Sequence, residues 1–181
     1  MDLSFTAEMF AGLSDEQAPI GGVFQVGETW SAVPFLCQNH QFLAFYLPVE
    51  ADAETSDSIK GIVLQEAGHV VSPHAHIIKF ASVAQYSSGN NFIPLDVPGA
   101  IRHAIRFQMP RRLSEATLSF MEQRPSVDEF YFLAGGEDDE RIRKLELWYG
   151  RVADKLATTS LGLQRIHPPK GIWYGYRKAD R

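Results

Sequence analysis

The chain has 181 residues, 45% of them apolar and 22% charged, and a formal net charge of -5. That length suits one domain, or at most two small ones, and buries about two thirds of its unfolded surface without a staple. Composition excludes collagen, coiled coil, low-complexity disorder and a disulfide scaffold, and the acidic balance excludes a chromatin-like polycation.

Residues 3–13 are expected to form a short helix carrying Leu3, Phe5, Met9, Phe10 and Leu13, weakened by Gly12. Pro19 to Gly22 reads as a turn. Val23 to Trp30 reads as a strand. The runs 32–37 and 42–49 flank a polar turn, Gln38-Asn39-His40-Gln41. The second run is apolar on both faces, which predicts a central strand. Residues 50–58 read as a solvated acidic loop, Ile59 to Gln65 as a strand and His74 to Tyr86 as a longer one. Ser87 to Asn90 signals a turn, with Asn91 to Val97 returning as a hairpin partner. Ala100 to Gln108 fits either period. Ser114 is placed to cap a helix running to Gln123, stopped by Pro125. Glu129 to Ala134 reads as a strand. Beyond Gly135-Gly136 a helix is expected to about Ser160, with Ile142, Leu145, Tyr149, Val152 and Leu156 recurring at helical spacing. Gly162 ends it, and Ile172 to Tyr176 reads as the last strand. The expectation is a single α+β domain over 1–181. Its first ~100 residues form an antiparallel or mixed sheet, with barrel-like closure left open, followed by two helices and a closing strand.

Charge is unevenly spread. Residues 1–60 hold nine acids and one base, Lys60. Residues 101–112 hold Arg102, Arg106, Arg111 and Arg112 with no acid. Residues 165–181 hold five bases against one acid. Such asymmetry predicts a polarised surface that steers a charged partner, unless the segments neutralise each other across the fold. The one cysteine, Cys37, forbids an intrachain disulfide and favours a reducing compartment. The N-terminus carries no basic leader or signal-length apolar run, and the longest uncharged stretch, Thr29 to Val49, is interrupted by Pro34, Gln38, Asn39, His40, Gln41 and Pro48. A soluble, cytoplasmic protein is expected.

His74 and His76 are two apart, so on a strand they share a face and can converge on a metal. His103 is the next candidate ligand, with Glu66 or Asp96 as a fourth. Gly68, His74 and His76 resemble in part the first cupin motif, and Pro98 and His103 match the proline-to-histidine gap of the second. Phe80 or Ala81 stands where that family's glutamate falls. The resemblance implies a metal-binding β-barrel, enzyme or sensor, with a divalent transition metal as cofactor. Otherwise His74 and His76 are ordinary strand histidines. The run Glu137 to Glu140 is explained by the dipole of the helix it opens.

Lys170, Trp173, Tyr174, Tyr176 and Arg177 interleave bases with aromatics, a pattern able to stack on nucleobases. The main reading is strand packing, with Ile172, Tyr174 and Tyr176 on one face and Trp173 against a helix, and the acidic total opposes non-specific nucleic-acid affinity. No nucleophile elbow, zinc-protease, Cys-x-x-Cys, Walker or dinucleotide motif occurs. The first reading is therefore a small non-enzymatic binding protein of the accessory, adaptor or neutraliser type. It engages a protein partner through Arg102, Arg106, Arg111 and Arg112, with no cofactor. The alternatives are the cupin-like metal protein and, third, a nucleic-acid binder using 101–112 and 165–181.

Overall fold

A computed structural model describes residues 7–51, 53–84, 97–133, 154–166 and 173–179. In chain order the elements are β1 (Phe24–Val26), β2 (Trp30–Cys37), β3 (His40–Pro48), α1 (Ala53–Ala67), β4 (His76–Ser82), α2 (Gly99–Gln123), β5 (Glu129–Leu133), β6 (Leu163–Arg165) and β7 (Trp173–Lys178). The sheet runs β1-β2-β3-β4-β5-β7-β6. It is mixed: β4 pairs with β5 in parallel, and β7 pairs antiparallel with both β5 and β6. The sheet is open, which removes the barrel-like alternative and keeps α+β.

The chain groups into two compact units, each assembled from two separate stretches: Met1–Phe45 with Phe80–Gln123, and Tyr46–Lys79 with Arg124–Arg181.

In the first unit, β1 and β2 form a hairpin registered by Val26 opposite Trp30, with Gly27 at φ 63° in the connecting loop. β2 turns into β3 through Gln38 and Asn39, both left-handed at φ 53° and 59°. Two successive left-handed residues match the right-handed twist of the strands they join. Asn tolerates that conformation, and the polar pair between two apolar runs is what identified the turn. Seven consecutive residues of β2, Ser31 to Cys37, are buried. The Phe35 and Phe42 rings stack at 5.5 Å. Helix α2 packs on β2 through Ile105, Met109, Leu113, Ala116 and Phe120. Cys37 lies in this contact and its thiol points at the Ile105 carbonyl, 3.8 Å away. Burial, with the Asp15 carboxylate adding to it, pushes that thiol up to about 11, so it is protonated and inert at neutral pH.

Helix α2 corrects two expectations. The stretch 100–108, which fitted either period, is helical, and Ser114 lies buried inside the same helix rather than capping a new one. Pro110 sits within it, so no amide donates to the Arg106 carbonyl four residues earlier. An interior proline costs roughly 3 kcal/mol. Each large apolar side chain buried against β2 returns about 1.5–3 kcal/mol, so the inward face outweighs the break.

In the second unit, α1 replaces both the acidic loop expected at 50–58 and the strand expected at 59–65. Among its described side chains Ser56, Ile59 and Val63 are buried, spaced by three and four. Gly68, at φ 63°, ends it by donating its amide to the Leu64 carbonyl at 3.0 Å. β4 is shorter than the strand expected from His74 to Tyr86. β5 lies between β4 and β7 with Phe130, Tyr131 and Phe132 buried. Tyr131 stands opposite Gly175 of β7. A Cβ at Gly175 would lie 2.7 Å from the Tyr131 ring, so only glycine leaves room for it. β6 was not foreseen. Leu156–Ser160 forms a π-helical turn, closed by the Leu161 amide on the Leu156 carbonyl at 3.1 Å. Most of the helix expected at 137–160, the turn at 87–90 and the hairpin strand over 91–96 lie outside the described residues. Of the expected helix 3–13, Ala7–Phe10 forms a single 3-10 turn.

Candidate functional site

Two features of the molecule concentrate chemistry. The first is a carboxylate cluster in the second unit, where β5 begins. Glu129 opens an otherwise apolar strand and is 7% exposed at its side chain. A buried carboxylate needs donors, and three converge on it. His69 Nε2 donates to Oε1 at 2.7 Å, and the Ser72 amide and Tyr131 hydroxyl donate to Oε2 at 2.9 and 3.0 Å. Tyr131 is two residues along the strand, hence on the same face as Glu129. Burial, with the Glu129 charge adding to it, pushes the Tyr131 phenol far up, so it stays a donor. Beside them the Ser72 hydroxyl donates to Asp128 Oδ2 at 2.9 Å and accepts the His74 amide at 3.1 Å. The cluster fastens residues 69–74 to the head of β5. The donors of this same chain occupy both oxygens of Glu129, so the arrangement is an anchor.

The expected metal ligands divide around this anchor. His74 is exposed in the turn before β4. His76 is the first residue of β4, and its Nδ1 donates to the His74 carbonyl at 3.0 Å. Burial lowers the tendency of His76 to take up a proton. His103 is exposed on α2, not on a strand. Glu66 is exposed on α1, and Asp96 lies outside the described residues. Among the described residues no group of three or more His, Cys, Asp and Glu side chains is placed to hold a metal ion. The open sheet likewise differs from the closed barrel that the cupin resemblance implies.

The second feature is the outer face of α2. Residues four apart on a helix stack on successive turns of one face. His103, Phe107 and Arg111 form one such row, and Arg102 and Arg106 form the row beside it. Phe107 is 83% exposed, and Leu118, three turns further along, is 44% exposed. No acid occurs between Gly99 and Ser114. The four arginines of this segment are not equivalent. Arg112 faces inward at 13% side-chain exposure, bonded to the Asp15 carbonyl at 2.6 Å and carboxylate at 3.3 Å and to Glu115 at 3.0 Å. It ties the 14–18 turn to α2 and faces the interior. Arg111 pairs with Glu115 at 2.7 Å but keeps 78% of its side chain exposed. Arg102 bonds the Val97 carbonyl at 3.3 Å. Arg106 is exposed and has no ion pair among the described residues.

The aromatic surface expected at the C-terminus is corrected. Trp173, Tyr174 and Tyr176 are buried in β7, and Tyr176 packs edge-on against Phe132 at 6.0 Å. These rings are core because β7 is an interior strand of the sheet. Arg177 is half-buried beside them, and Lys170 lies outside the described residues.

The Glu129 anchor was missed in the sequence. Its signal was an acid opening an apolar strand, with a tyrosine hydroxyl two positions on. Phe107 was seen only as an apolar residue of uncertain period.

No helix among the described residues is long and apolar enough to cross a membrane. Comparison with protein-family models, curated proteins and solved structures finds no match for this chain.

Proposed function

We propose that this chain is a small, non-enzymatic binding protein of the cytoplasm that engages a protein partner through the outer face of α2. The observation that carries this reading is Phe107, a large apolar ring 83% exposed within a segment of arginines and no acids. Exposed aromatics flanked by arginine are the residue types that dominate binding energy at protein interfaces. The single cysteine, Cys37, which forms no intrachain disulfide, is in keeping with a reducing compartment. Arg102 and Arg106, with Arg111, supply the charge that steers encounter, while Arg112 holds the helix in place.

The test is affinity capture with the parent chain and with an Arg102→Glu/Arg106→Glu variant, both checked for unchanged melting. One protein should be recovered stoichiometrically by the parent, at least tenfold less by the variant, with recovery falling as salt rises. Recovery of nothing, or equal recovery by both chains, overturns the reading.

A further inference from the structure

The charge on α2 also defines the chemistry of what it binds. We infer that the partner presents an acidic protein segment carrying an apolar side chain, which seats against Phe107 while its carboxylates reach Arg102, Arg106 and Arg111. This rests on the partner-binding reading above and specifies its other half.

Three observations select this occupant. First, the stretch from Gly99 to Ser114 has no acid of its own, and the next acid, Glu115, is taken up by Arg111 and Arg112, so an acidic segment meets net positive charge there. A basic segment would face several guanidiniums, a juxtaposition that excludes wrong partners. Second, Arg106 has no ion pair among the described residues, and Arg111 keeps most of its length exposed although paired. Guanidiniums so presented can take carboxylates two oxygens at a time. Third, Phe107 lies one turn before Arg111 along one row and beside Arg106 in the next, so an apolar contact is flanked by guanidiniums. A purely polar acidic chain would leave that ring in water.

Nucleic acid would also satisfy the arginines. It is disfavoured because recognition of single strands uses several stacking rings in a track. Phe107 is the single exposed aromatic among the described residues of α2, and the C-terminal rings are buried. Glu122, beyond the arginines, would oppose a continuous phosphate path along the helix.

The experiment places a photo-crosslinking phenylalanine analogue at position 107 of the full chain. Crosslinking is done in the cells that produce the protein, and the adducted segment is mapped by mass spectrometry. The expected adduct is a protein segment of net negative charge with an aliphatic or aromatic residue at the crosslink. Arg106→Glu in the same chain should reduce its yield at least fivefold, and the same analogue at exposed Glu122 should give no equivalent product. A basic or uncharged segment, a nucleic-acid adduct, or a yield indifferent to Arg106→Glu overturns the inference. If capture still returns a partner that Arg102→Glu/Arg106→Glu abolishes, only the assigned chemistry fails. If capture also returns nothing, both fall.

Discussion

At the scale of the residue, Glu129 shows how one polar side chain can govern a loop. Its two oxygens hold an imidazole, an amide and a phenol from three different positions. Replacing it by alanine leaves the Ser72 amide and the Tyr131 hydroxyl buried without an acceptor. The expected loss is about 3 kcal/mol in the unfolding free energy, read from urea melts. Glu129→Gln keeps the shape and one acceptor oxygen and should lose less. Equal melts for Glu129→Ala and the parent would show that water replaces the carboxylate and that the anchor is dispensable. Arg112 makes the same point with opposite charge. Composition places it among the arginines of a binding face, whereas its contacts with Asp15 and Glu115 make it a strut.

At the scale of the element, β5 and β7 depend on a size match. Gly175 stands across from Tyr131, whose hydroxyl is held by Glu129, so the ring has no freedom to yield. Gly175→Ala should therefore destabilise by about 1–3 kcal/mol, the usual cost of overpacking, detected as a lower thermal midpoint. A midpoint unchanged from the parent would mean that the β5–β7 contact relaxes more easily than this geometry allows. The same scale explains what was legible beforehand. The hairpin at Gln38-Asn39, the apolar strands on either side of it, and the strands around 129–133 and 173–176 all announced themselves by local pattern. α1 did not, because Ile59, Ile62 and Val63 favour strands and Gly61 weakens a helix. Only the burial of Ser56, Ile59 and Val63 on one stripe decides for helix, and burial is a tertiary fact. α2 reads as two pieces in the sequence, because 100–108 fits either period and Ser114 is a residue type that commonly starts helices. Packing on β2 overrides both. The basic face was legible as composition. Its division into inward Arg112 and outward Arg106 was not, since that needs the helix phase.

At the scale of the whole molecule, pH acts through His76. Burial disfavours its charged form, so its folded proton affinity lies below the ordinary value of 6.5. The unfolded chain then binds the proton more readily. Stability is complete above pH 6.5 and declines as the pH falls from there toward the lower folded value. The hydrogen bond to the His74 carbonyl and the Asp128 charge oppose this shift, and the His74 and Arg124 side chains reinforce it. Melting between pH 7.5 and 5.5 should fall more steeply for the parent than for His76→Gln. Parallel curves for the two would assign the acid sensitivity to other groups.

The interleaving of the two units has a consequence for biosynthesis. The ribosome delivers Ser31 to Cys37 well before Gly99 to Gln123, yet the later stretch is the roof of the earlier one. For that interval a greasy ribbon emerges uncovered, able to recruit a chaperone or to adhere to a neighbouring nascent chain. This half of the molecule must mature late, after the tunnel has released the helix that shields it.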